Sequence, residues 1–64
     1  MLKNNLSKIR KSRNLMRSDI SDKLGYTDDS SISKLERGIR EPKITTALKI
    51  SKILKVKVEE IWSL

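Results

Sequence analysis

Arg17-Ser18-Asp19-Ile20-Ser21-Asp22-Lys23-Leu24-Gly25-Tyr26-Thr27-Asp28-Asp29-Ser30-Ser31-Ile32-Ser33-Lys34-Leu35-Glu36-Arg37-Gly38 decides the fold. Ile20 and Leu24 are four residues apart and share one helical face, and Gly25 follows where a helix stop needs a residue that tolerates positive φ. Thr27, Asp28 and Asp29 then offer side-chain acceptors for the bare N–H groups of a second helix, with Asp28 the expected cap. That second helix is expected over about Asp29 to Arg37. Ile32 and Leu35 lie three apart on its inner face, and Gly38 stops it. Ser21, between Ile20 and Leu24, is small enough to let the second helix cross the first closely.

The remaining composition says what such a pair of helices is for. A chain of 64 residues makes one small domain, residues 1–64, with little room for a catalytic cleft. It has no cysteine and no histidine, which removes disulfides, thiolate nucleophiles and the usual zinc ligands together. There is no nucleophile–base pair and no phosphate loop, so the sequence predicts no enzyme, no cofactor and no metal. A net charge of +7 and a pI near 10.1 point to a polyanionic partner, most often nucleic acid. No apolar run is long enough to span a bilayer and the N-terminus is too polar for a signal peptide, so a cytoplasmic location is expected. Helix, glycine turn and helix in a basic chain form the helix-turn-helix signature, here at about residues 17–38, whose second helix enters the major groove of DNA.

Upstream, Leu2, Leu6 and Ile9 are spaced by four and three, which predicts a first helix within Met1 to Asn14, capped by Asn4 or Asn5. Asn14 suits a left-handed helix stop. Downstream, Pro42 disfavours helix at Glu41 and fits just before a new helix start, predicting helix four from about Ile44 to Leu54. Ile44, Ala47, Leu48, Ser51 and Leu54 form one stripe, widened by Ile50 and Ile53, so this helix is expected to be the most buried. Lys49, Lys52 and Lys55 read as its solvated side. Val56 and Val58 alternate as a strand would, but no partner strand is evident. A last helix from about Val58 to Ser63 is preferred, with Glu59 and Glu60 in its first turn. The expected architecture is all-α, a compact five-helix bundle.

These segments resemble the Cro and lambda-repressor-type (Xre-like) helix-turn-helix domain over nearly the whole chain. Leu6-Ser7-Lys8-Ile9-Arg10, Asp19-Ile20-Ser21-Asp22-Lys23-Leu24-Gly25, Ile32-Ser33-Lys34-Leu35-Glu36-Arg37-Gly38, Pro42, Ala47-Leu48-Lys49-Ile50-Ser51-Lys52-Ile53-Leu54 and Val58-Glu59-Glu60-Ile61-Trp62 carry the resemblance in order. It implies a DNA-binding transcription regulator, bacterial or phage-encoded and nucleoid-associated when bound. It also implies a homodimer on a palindromic operator, and a partly buried ion pair between Arg10 and Glu36. The chain departs from the family at Met16, where a Ser or Thr cap is usual, at Arg17, where a Gln commonly binds phosphate, and in the turn at 25–29, one residue longer than usual.

Base contacts are expected from Asp29, Ser30, Ser33 and Lys34 on the outer face of the second motif helix. Three serines within Ser30 to Ser33 weaken a helix but suit reading base edges. Phosphate contacts are expected from Arg17, Arg37, Arg40 and Lys43, with Arg13 a further candidate. Tyr26 is expected to pack over the turn, with stacking or a phosphate contact through its hydroxyl as the alternative. Trp62 either packs on helix one or four, or joins Ile61 and Leu64 in a dimer interface. A repressor that occupies double-stranded operator DNA is the preferred reading. The alternative is an antitoxin or partner-recruiting protein that uses the same module.

Overall fold

The computed structural model describes residues 3–64, an all-α bundle of five short helices closed by a small ladder. α1 is Leu6–Ser12, α2 Arg17–Leu24, α3 Ser30–Glu36, α4 Ile44–Leu54 and α5 Val58–Ile61. α2 packs on α3 and α4, α4 on α5, and α1 on α3. The core between them takes Leu6 from α1, Ile20 from α2, Ile32 and Leu35 from α3, and Ile50 and Leu54 from α4, all buried. No helix among the described residues is long and apolar enough to cross a membrane.

Four of the helices stop by one device. After α1, α2, α3 and α4 the chain enters the left-handed region at Asn14 (φ +56°), Gly25 (+82°), Gly38 (+74°) and Lys55 (+59°). In each case two backbone N–H groups turn back onto the last turn, and the bond of wider sequence span runs from Leu15 to Arg10, Tyr26 to Ser21, Ile39 to Lys34 and Val56 to Ser51. This closure satisfies carbonyls that a helix end leaves bare. Glycine and asparagine reach the region at little cost, so three of the stops were readable in the sequence. Lys55 was not, because lysine gives no local signal for positive φ.

Both chain ends depart from expectation. The first helix does not reach back toward Met1: Lys3–Asn4 forms strand β1, which pairs antiparallel with β2, Trp62–Ser63. The last helix therefore ends at Ile61 rather than Ser63, and Trp62 is extended at φ −123°, ψ 128°. The reason lies in backbone demand at the two ends. Lys3 meets Ser63, Asn4 meets Trp62, and the Asn5 N–H donates to the Ile61 carbonyl at 2.8 Å, so each end supplies the other's missing ladder. Asn4 also accepts the Leu6 N–H at 2.8 Å and donates its amide to the Leu35 carbonyl, tying the start of α1 to the end of α3. Asn5 stands at the N-cap position without a side-chain bond to the helix. Leu2, expected on the apolar face of the first helix, lies outside the described residues.

α4 is also turned differently from the expected stripe. Ala47, Ile50, Ser51 and Leu54 face the core, whereas Ile44 is 80% exposed and Leu48 50% exposed. The helix is seated against α2 and α5 by its 47–50–51–54 face. At 100° per residue, Ile44 and Leu48 rotate off one edge of that face toward solvent.

Candidate nucleic-acid interface

Gly25 ends α2 and frees the chain to bend into Tyr26–Asp29, from which α3 leaves. Asp28 organises this start. Its Oδ1 accepts the Ser30 N–H at 3.0 Å and the Ser30 hydroxyl at 2.7 Å. The Ser30 hydroxyl, then the Ser30 N–H, hold the Asp28 carboxyl below its ordinary value of 3.8. Asp29 occupies the N-cap position without making a side-chain cap. The four residues expected to read bases therefore differ in setting: Asp29 and Ser30 are exposed, while Ser33 and Lys34 are partly buried. While Ser30 donates to Asp28, its hydroxyl offers an incoming base only its lone pairs.

The cations divide into two groups. Arg10 and Arg17 converge on one carboxylate: Arg10 Nε donates to Glu36 Oε2 at 2.6 Å, and Arg17 Nε donates to Glu36 Oε1 at 2.9 Å. The Glu36 and Arg10 side chains are 3% and 9% exposed, whereas that of Arg17 is 44% exposed. Arg10 also reaches the Leu15 carbonyl through Nη1 at 2.7 Å. This places Arg17 at the start of α2 with its Nε edge held, a constraint invisible in the sequence. α2 has no side-chain cap from Met16; the Asp19 carboxylate instead accepts the Met16 N–H at 2.7 Å. Arg13, whose Nε donates to the Leu54 carbonyl at 3.0 Å, closes the end of α4.

Arg37, Arg40 and Lys43 form the second group. All three are exposed and make no salt bridge within the described residues. Arg40 and Lys43 line an open groove beside α3, together with the acid Glu41 and with Tyr26, Ser31, Thr45 and Thr46. Tyr26, expected chiefly to pack over the turn, lies on this groove, and Thr45 and Thr46 join it without a local sequence signal. The pairing of a turn tyrosine with the loop that follows α3 has no local sequence signal. At the far end of the chain, Ile61 and Trp62 are 1% and 6% exposed within the protomer's own core, and Leu64 is 94% exposed. The Trp62 indole N–H has no hydrogen-bond partner among the described residues.

The helix-turn-helix family profile matches residues 6–61. A protein of Methanocaldococcus jannaschii named as an HTH-type transcriptional regulator is 36% identical over 61 residues, which span 95% of this chain and 91% of that protein. A second motif helix after a glycine turn, with an exposed start at Ser30 and flanking cations that form no salt bridge among the described residues, agrees with both matches. The chain belongs to the Cro/C1-type helix-turn-helix family of DNA-binding transcription regulators, and it is not an enzyme.

Proposed function

We propose that the protein is a repressor that binds a palindromic operator as a homodimer, inserting α3 of each copy into successive major grooves. The observation that supports this most is the geometry around α3. Its open N-terminal residues Asp29 and Ser30 lie on the same motif as the unneutralised Arg37, Arg40 and Lys43 beyond its other end. Phosphate contacts from Arg40 and Lys43, with Arg17 and Arg37, position the helix and supply most of the affinity. Ser30, Ser33 and Lys34 read base edges: Lys34 donates to guanine O6 and N7, and the serines serve several bases. Asp29 accepts from cytosine N4 and repels wrong registers, since a carboxylate beside a phosphate is unfavourable. Occupying the operator is the whole of the mechanism.

Selection from a randomised duplex library at two salt concentrations tests the proposal. Enrichment of a palindrome whose half-sites lie about one helical turn, ~34–36 Å, apart is the expected result. Binding that falls with salt and enriches nothing reduces the interface to a basic surface and refutes the reading. On the selected site, Lys34→Ala is expected to change base preference at one position. Arg40→Ala is expected to weaken all sequences alike, with the log–log salt slope smaller by about 1.

A further inference from the structure

A serine hydroxyl within a helix ordinarily bonds to a carbonyl of the preceding turn. Ser12, Ser21 and Ser51 do so, donating to the Ile9, Ser18 and Leu48 carbonyls at 2.6, 3.1 and 2.7 Å. Ser30 is the first residue of α3, with no helical turn before it, and it bonds to a side chain instead. Asp28 Oδ1 takes the Ser30 hydroxyl at 2.7 Å and the Ser30 N–H at 3.0 Å. With its carboxyl lowered by these two bonds, Asp28 is ionised at neutral pH and can only accept. The single hydroxyl proton of Ser30 is thus committed, and the N–H of the same residue holds the carboxylate in place. Ser30 is exposed, so its oxygen stays within reach of a bound duplex.

We infer that Asp28 sets which bases Ser30 reads: with its proton tied to the carboxylate, Ser30 pairs only with the amino group of adenine or cytosine. The inference rests on the base-reading role of α3 above and narrows it at one residue. A free serine both donates and accepts, so it tolerates every base edge. In the major groove the donors are adenine N6 and cytosine N4, whereas guanine N7 and O6 and thymine O4 are acceptors. An acceptor-only Ser30 meets guanine or thymine lone pair to lone pair, and both groups lose water without gaining a bond. Donation to a carboxylate also polarises the hydroxyl and strengthens the bond its oxygen accepts. Asp28 is therefore a positioning residue, acting on the base through Ser30 without touching it. Lys34, four residues on and on the same side of α3, has the opposite polarity. It can only donate, which suits guanine, so the two side chains demand opposite base chemistry within one half-site.

Selection from a randomised duplex library, run on the unaltered protein and on Ser30→Ala, identifies the position Ser30 reads as the one whose preference disappears. Adenine or cytosine is expected there, favoured about ten-fold over guanine and thymine, the worth of one hydrogen bond against an unpaired acceptor. Asp28→Ala is expected to bring that ratio within about two-fold, because the freed hydroxyl can donate as well as accept. Asp28→Asn is expected to keep the ratio, since its amide oxygen still accepts both Ser30 donors. The ratio compares bases on one protein, so a weaker start to α3, which lowers binding to all sequences alike, leaves it unmoved. Guanine or thymine at the Ser30 position overturns the inference, as does an Asp28→Ala protein with unchanged preference or a Ser30→Ala protein that alters no position. An Asp28→Asn protein as permissive as Asp28→Ala also overturns it, because the charge and not the committed proton is then what selects. A library that enriches no sequence refutes the base-reading role of α3 itself.

Discussion

Replacing Arg10 by alanine is expected to unfold the domain rather than merely to weaken its hold on DNA. The Glu36 side chain is 3% exposed and gives one oxygen to Arg10 at 2.6 Å and the other to Arg17 at 2.9 Å. Without Arg10, a nearly dry carboxylate keeps only Arg17, whose 44% exposed side chain is well screened by water. The Leu15 carbonyl loses its 2.7 Å donor at the same time. Truncating one member of a buried pair costs about 3–5 kcal/mol, and the whole stability of a domain this size is roughly 3–10 kcal/mol. At ~4–8 °C per kcal/mol, the melting temperature falls by at least about 12 °C, and the folded fraction at 25 °C drops visibly. Thermal melts followed by far-ultraviolet circular dichroism measure this, with Arg17→Ala as the control: removing the exposed arm costs about 0–1 kcal/mol. Replacing Arg10 and Glu36 together by methionine leaves no stranded charge and recovers most of the loss. An Arg10→Ala protein that melts like the unaltered one but no longer binds DNA refutes the reasoning, because Arg10 is then a contact and not a support.

Lys55→Gly is expected to stabilise the domain. A side chain in the left-handed region costs about 1–2 kcal/mol, and glycine's extra freedom in the unfolded chain returns about 0.4–1 kcal/mol, leaving a gain of roughly 0.5–1 kcal/mol; a urea midpoint that does not rise contradicts this. Gly25→Ala is expected to cost about 1–2 kcal/mol from backbone strain alone, since a Cβ built there meets nothing within 4 Å. If that variant instead loses far more, with an altered denaturant slope, the turn is doing something other than supplying positive φ. For Asp28 the sign follows from its lowered carboxyl: the folded value lies below the unfolded one, so its contribution is present above the ordinary 3.8 and is lost as pH falls through the folded value. A carboxyl-carbon titration by NMR should place its midpoint under 3.8, and Ser30→Ala should move it back up.

The motif was legible because each of its parts is written in adjacent residues. Gly25 and Gly38 announce the helix stops through backbone freedom, Asp28 the cap through a short side chain two residues from the N–H it accepts, and Ile20, Ile32 and Leu35 the buried face through spacing. What escaped was long-range. Nothing within Lys3–Asn4 reveals that Trp62–Ser63 lies beside it, 58 or more positions along the chain, and a two-residue strand is too short to show alternation. Arg13 looks like any surface cation until the end of α4 arrives with a bare Leu54 carbonyl. The same distance hides the Arg17–Glu36 contact, which spans 19 residues between the start of α2 and the end of α3.

α4 shows a different limit, one of interpretation rather than of range. Its apolar residues occupy so wide an arc that the sequence predicts burial on all of it. Periodicity reports that a face is apolar; it does not report what covers it. A 64-residue chain has too little mass to cover two faces of one helix, and α2 and α5 take the 47–50–51–54 side, leaving Ile44 and Leu48 in water. Conversely, Ile61 and Trp62 gave the impression of a spare apolar end, yet the ladder with Lys3–Asn4 folds that end back into the core. Both readings turn on the same physical fact. In a domain this small, an apolar face is buried by whichever element reaches it, and a face that no element reaches stays in water.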